Sequence, residues 1–165
     1  MTDADASLPN AQPRGPDRPD GGCVVRPGLA IGDRAVFRHR IAAGHTVPAL
    51  YPEAALFQAM PGVLATGYMV GLMEWACVEQ LAPHYDDGEG SLGTHVDVSH
   101  VAPTPPGLTV TVETEVTGID GRFLWFQVRA HDGVDLIGEG RHQRALVRWE
   151  TFVPKAMAKA TGVSA

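Results

Sequence analysis

Cysteine is almost absent from this chain of 165 residues. The two present, Cys23 and Cys77, stand too far apart in sequence for a metal-ligand spacing and are too few for a disulfide framework. No metal is therefore expected, and a reducing cytoplasm is the expected compartment. Charge is sparse as well. Asp, Glu, Lys and Arg make up 19% of the chain and the net charge is −6, so the basic stripe of a nucleic-acid-binding domain is missing. No apolar run reaches the roughly 20 residues of a membrane span. The longest, Val63 to Val78, is broken by Thr66, Gly67, Gly71 and Glu74. No basic start followed by an apolar stretch marks a secretory signal. The chain also lacks a Gly-x-Ser-x-Gly elbow, a phosphate loop, a His-Glu-x-x-His pair and a Cys-x-x-Cys pair, and it has no internal repeat.

What is present is apolar material, 44% of the residues, and it is unevenly placed. Residues 1–28 hold five prolines and four glycines, with only Met1, Leu8, Val24 and Val25 as large apolar residues. Such a stretch buries too little surface to offset its chain entropy, so it is expected to be a flexible tail. The folding unit is expected over residues 29–153, with a short Ala- and Lys-rich tail over 154–165. Within that unit, YMVGLMEWACVEQLA follows Thr66-Gly67 and is closed by Pro83, which predicts one helix. It is apolar almost all round and is expected to be buried on most sides. Ala35 to Ile41 predicts a strand before it.

Four more strands are predicted after it. In SLGTHVDVSH, alternation puts Leu92, Thr94, Val96, Val98 and His100 on one face, with Ser91, His95, Asp97 and Ser99 on the other. LTVTVETEV and FLWFQVRA alternate in the same way, separated by the turn signal Asp120-Gly121. Asp132-Gly133 is a second turn signal, and the last strand runs from Val134 to about Glu150. One apolar helix and one antiparallel five-stranded sheet with a single apolar face have one economical solution, in which the sheet wraps the helix. That is the α+β hot-dog architecture. Sheets of this kind pair edge to edge, so a homodimer is expected, and outward Phe123 and Trp125 would suit a subunit contact or simply cover the sheet.

The informative residues are those that break the apolar pattern. Glu74 has Val70, Gly71, Cys77 and Val78 as its helical neighbours. An unpaired carboxylate there would cost several kcal/mol, so it has a partner, a raised pKa or a cavity to face. Gly67 and Gly71 share its flank, each costing about 1 kcal/mol relative to alanine, either for close packing or to leave room for a ligand. His100 ends the inward face of its strand and can serve as a base or an acid near neutral pH. Thr66 either caps the helix or acts beside a base. It lies about 12 Å from Glu74 along a helix axis, room for a small substrate group between them. His95, Asp97, His131 and His142 are expected on an outer face or at turns.

The segments TVPALYPE, ATGYMVGLMEWACVEQLAP, GEGSLGTHVDVSH, TPPGLTVTVE, AHDGVDLIGEG and H-x-RA closely resemble the fluoroacetyl-CoA thioesterase family, without obvious gaps from about Ala30 to Phe152. The resemblance implies a hot-dog dimer that hydrolyses a short acyl-CoA, with fluoroacetyl-CoA as leading substrate, in self-protection. It places the catalytic threonine, glutamate and histidine on Thr66, Glu74 and His100. It places Gly93 by the thioester carbonyl and Arg144 as support for the site. A lid over the acyl pocket maps onto Phe57 and Met60. The family has phenylalanine at both, so methionine at the second, more flexible, implies altered fluorine selectivity. Coenzyme A enters as part of the substrate and no cofactor is implied. The alternatives are a thioesterase for another short or substituted acyl-CoA, and a non-catalytic acyl-CoA-binding module. The latter often accompanies a DNA-binding helix pair, and no helix pattern is seen in the first 28 residues.

Overall fold

The computed structural model describes residues 28–162. The expected tail over residues 1–28 lies, apart from Gly28, outside them, as does Cys23. Strand β1 (Arg34–Arg40) comes first, followed by two single-turn helices, α1 (Val47–Leu50) and α2 (Ala55–Gln58). The long helix α3 (Thr66–Leu81) precedes strands β2 (Glu89–Val98), β3 (Thr109–Asp120), β4 (Phe123–His131) and β5 (Leu136–Arg148). The sheet order is β1-β3-β4-β5-β2, antiparallel throughout. This is the expected α+β hot-dog arrangement, one five-stranded antiparallel sheet curved around one long helix.

Alternation along the strands supplies the core. Val110, Val112 and Val116 of β3 and Leu124, Phe126, Val128 and Ala130 of β4 are fully buried against α3. Each large side chain so placed contributes about 1.5–3 kcal/mol. The two turn signals hold: Gly121 (φ +56°) and Gly133 (φ +92°) supply the left-handed backbone that the hairpins need.

Three expectations are corrected. The sheet covers one side of α3 only: Met69, Leu72, Met73, Ala76, Cys77 and Leu81 are buried, whereas Thr66, Gly67, Gly71 and Trp75 lie open. A single concave sheet reaches around one flank of a helix and leaves the other free. The second correction concerns β2. A bulge between Gly93 and His95 shifts its register against β5. A bulge adds one residue and inverts the alternation. Ser91 therefore faces inward, opposite Leu146, and Leu92 faces outward, opposite Ala145, while Val96 and Val98 keep the inward face.

The third correction is at the C-terminal end. β5 stops at Arg148, and helix α4 (Trp149–Ala158), with Pro154 inside it, occupies the segment expected to be strand and then tail. The Trp149 indole lies on the backbone of Gly90, where a Cβ would overlap it, and the Trp149 backbone N–H donates to the Gly88 carbonyl at 2.9 Å. The chain leaves the sheet there. Among the described residues no helix is long and apolar enough to cross a membrane.

Candidate active site

The open flank of α3 carries two polar groups. The first is at its N-terminus. The preceding strap is stitched down by Leu64 N–H to Thr104 O at 2.8 Å and Ala65 N–H to His45 O at 3.0 Å. Thr66 is then the first helical residue, and Ala65, not Thr66, is the N-cap. The threonine hydroxyl is thereby released from capping and lies 2.9 Å from His100 Nδ1. His100 stands just past β2, held between Ser99 N–H to Glu139 O at 2.9 Å and Val101 N–H to Ile137 O at 2.8 Å. Burial lowers its pKa, against a hydrogen bond to the Ala102 backbone, so the ring is neutral near pH 7. A neutral imidazole beside a hydroxyl is a base beside a proton donor.

The second group surrounds Glu74, about two turns along the helix. Its side chain is 41% exposed, and its Oε1 lies 3.5 Å from Arg144 Nη1 and 3.7 Å from His142 Nε2. A Cβ on Gly93 would overlap this oxygen and stand 3.0 Å from His142 Cε1, so a larger residue there would push the carboxylate aside. Arg144 is 4% exposed, and a guanidinium so buried needs partners. Its Nε donates to Ser91 Oγ and its Nη2 to Ser91 O, both at 2.8 Å, and its Nη1 donates to His142 Nε2 at 3.1 Å. Tyr85 and Ser91 share a further hydroxyl contact at 2.7 Å. Next to Glu74, on the side of α3 toward β1, runs an open depression lined by Leu50, Gly67, Tyr68, Gly71, Leu72 and Trp75. A Cβ on Gly71 would meet nothing within 4 Å, so this glycine leaves space and is not a packing contact.

The structure thus brings Thr66 to His100, and Glu74 to Gly93 and Arg144, the two groups about two turns apart along α3. Phe57 sits on α2 with its ring against Tyr51 at 5.3 Å, and Met60, just beyond α2, is 46% exposed. No hydrogen bond or ring contact ties either to Thr66, Glu74 or His100 among the described residues. His142 and Ser91, expected on the outer face, are inward. His142 shares the face of Arg144, two residues away, and that spacing was the available signal. Ser91 had none, because the bulge is invisible in the sequence. Cys77, on the buried face of α3, has its thiol pushed up to about 12 by burial. Among the described residues no three His, Cys, Asp or Glu side chains are grouped so as to hold a metal ion.

Comparison with known proteins bears on the family and the fold. Residues 49–150 match the family model of the fluoroacetyl-CoA-specific thioesterase. The fluoroacetyl-CoA thioesterase of Streptantibioticus cattleyicolor is 50% identical over 135 residues, 82% of this chain and 97% of that protein. A solved structure of the fluoroacetyl-CoA thioesterase is 51% identical with a TM-score of 0.79, covering 80% of this chain and 98% of that one. A threonine-to-alanine variant of that enzyme in complex with fluoroacetate has a TM-score of 0.78 at 50% identity, covering 79% and 98%. A thioesterase superfamily member from Thermus thermophilus is 26% identical with a TM-score of 0.72, over 84% and 100%. With more than half of its length in the family match and half of 135 aligned residues identical in a relative covered almost end to end, the chain belongs to the fluoroacetyl-CoA-specific thioesterase family.

Proposed function

We propose that the chain is an acyl-CoA thioesterase that hydrolyses fluoroacetyl-CoA to fluoroacetate and coenzyme A, in the cytoplasm, where the acyl-CoA pool lies. The observation that carries this is the placing of two reactive groups, Thr66 with His100 and Glu74 with Arg144, on the one flank of α3 that the sheet leaves open. A short acyl group fits between them. Glu74 attacks the thioester carbonyl carbon, the C–S bond breaks, and coenzyme A leaves. Water then opens the resulting anhydride, giving up its proton to neutral His100, which the Thr66 hydroxyl orients. The Gly93 backbone, next to Glu74, is the place for a donor to the carbonyl oxygen. Phe57 and Met60 close over the acyl group. Coenzyme A is part of the substrate, and no cofactor is invoked.

Fluorine and hydrogen differ little in size, so a pocket gains only about 1–3 kcal/mol from such a swap. Selectivity over acetyl-CoA has to arise in the transition state, where fluorine makes the carbonyl more electrophilic. The test is release of free thiol from fluoroacetyl-CoA and acetyl-CoA. Fluoroacetyl-CoA should be turned over with the higher kcat/KM, and Glu74→Gln should lower that value by about a hundredfold or more while the fold is kept. Undiminished turnover by Glu74→Gln would remove Glu74 from the chemistry. We also propose that the active form is a homodimer.

A further inference from the structure

His142 has no part in the chemistry above, although it is 1% exposed and touches both charged groups of the site. Its Nδ1 lies 2.8 Å from the His95 carbonyl oxygen. A carbonyl only accepts, so Nδ1 carries the hydrogen. Its Nε2 lies 3.1 Å from Arg144 Nη1. A guanidinium only donates, so Nε2 holds the lone pair. The two contacts together specify a single neutral tautomer.

The consequence falls on Arg144. An arginine facing a carboxylate commonly closes a two-pronged bridge, the strongest form of the pair. Here Nε and Nη2 are taken by Ser91, and Nη1 is shared between His142 at 3.1 Å and Glu74 at 3.5 Å. Glu74 is left with one long contact. A carboxylate with both oxygens tied to a guanidinium is a poor nucleophile, because the bridge must loosen before either oxygen can attack.

We propose that His142 is a positioning residue: its Nε2 lone pair takes one Nη1 hydrogen of Arg144 and, together with Ser91 on Nε and Nη2, fixes the guanidinium where a single long contact reaches Glu74. The proposal rests on Glu74 being the reactive group of a thioesterase. Burial is the main cause that lowers the His142 pKa, and the Arg144 charge adds to it, against the hydrogen bond to His95 and the charge of Glu74. The neutral ring is therefore the resting form. The charged or titratable groups facing it are Glu74 on α3, Arg144 on β5 and His95 on β2, while its neighbour across β4 is Phe126. Protonation would turn Nε2 into a donor that repels Arg144 and attracts Glu74.

Two variants of the full chain test this. His142→Leu keeps the site apolar but removes the acceptor, and it should lower kcat for fluoroacetyl-CoA by about tenfold to a hundredfold. KM should stay within about twofold, since the ring does not touch the acyl groove. His142→Gln offers a carbonyl oxygen near the place of Nε2 and should recover most of the loss. A role confined to packing ranks the two the other way, because the amide is the worse apolar filler. Wild-type kcat in His142→Leu, or equal losses in both variants, would overturn the proposal. A measurement independent of activity and of variant folding is the nitrogen-15 spectrum of the wild-type histidine rings at pH 7. His142 should show the neutral form protonated on Nδ1, and an imidazolium or an Nε2-protonated ring would overturn the proposal equally. Absence of thiol release by the wild type would count against the thioesterase reading alone, and the ring spectrum would still decide whether His142 can hold Arg144.

Discussion

Thr66, Glu74 and His100 are legible in the sequence for one reason: each is polar where the pattern around it is apolar. A polar group on an apolar face demands a partner, and the structure supplies one for each, His100 for Thr66 and Arg144 for Glu74. His142 was not legible on its own, because its inward orientation depends on the register of β5. It became inferable only through Arg144, two residues away on the same face. Two histidines, His142 buried and His100 half-buried, carry a pH dependence. His100 and His142 both have pKa values lowered from 6.5, burial being the main cause for each. Both act in the neutral form, so activity is retained above these lowered values and lost as pH falls through them. The acid limb of kcat/KM should therefore have its midpoint below 6.5. Protonation of either ring blocks turnover, so the limb should steepen toward two protons, and His142→Gln should return it to the single proton of His100. A midpoint above 6.5 in the wild type would contradict the roles given to both rings.

At the scale of elements, strands, hairpins and the central helix follow from alternation, turn glycines and Pro83. The bulge in β2 does not, because nothing local marks it. It exists where Gly93 must pass the Glu74 carboxylate while Val96 still faces inward, a demand set by α3 and β5 and not by β2 itself. The start of α4 is hidden in the same way, since it depends on Trp149 finding the bare backbone of Gly90. Helix α3 offers a test of what its glycines are for. Gly71 has no neighbour that a Cβ would touch within 4 Å. Alanine there should stabilise the helix by about 0.8–1 kcal/mol, read from urea unfolding. If the groove beside Glu74 receives the acyl thioester, the same methyl group should raise KM several-fold. A Gly71→Ala protein that is more stable and fully active would move the substrate path elsewhere.

At the scale of the whole molecule, the sheet ends in two unlike edges. β1 presents Arg34, Arg38 and Arg40 along seven residues, and charge of this kind discourages another strand from pairing. β2 is ten residues long, and Thr94, His95, Val96 and Asp97 along its middle are exposed. Val96 is apolar and 43% exposed on this edge strand. A second copy pairing β2 with β2 about a two-fold axis would satisfy the edge backbone that is unpaired among the described residues and cover Val96. Phe123 and Trp125 are the weaker seam, because Arg122 lies over the Phe123 ring at 4.8 Å, while Arg141 and His95 already pack on Trp125. Sedimentation equilibrium should therefore return twice the chain mass of 17.5 kDa. Val96→Lys, which puts a charge in the middle of the proposed seam, should shift that mass toward the single chain. Each copy carries a net charge of −6, so the two repel at long range, and salt, by screening that repulsion, should tighten the wild-type dimer. A Val96→Lys protein that remains a dimer would place the seam elsewhere, and a wild type that sediments as one chain would remove the dimer.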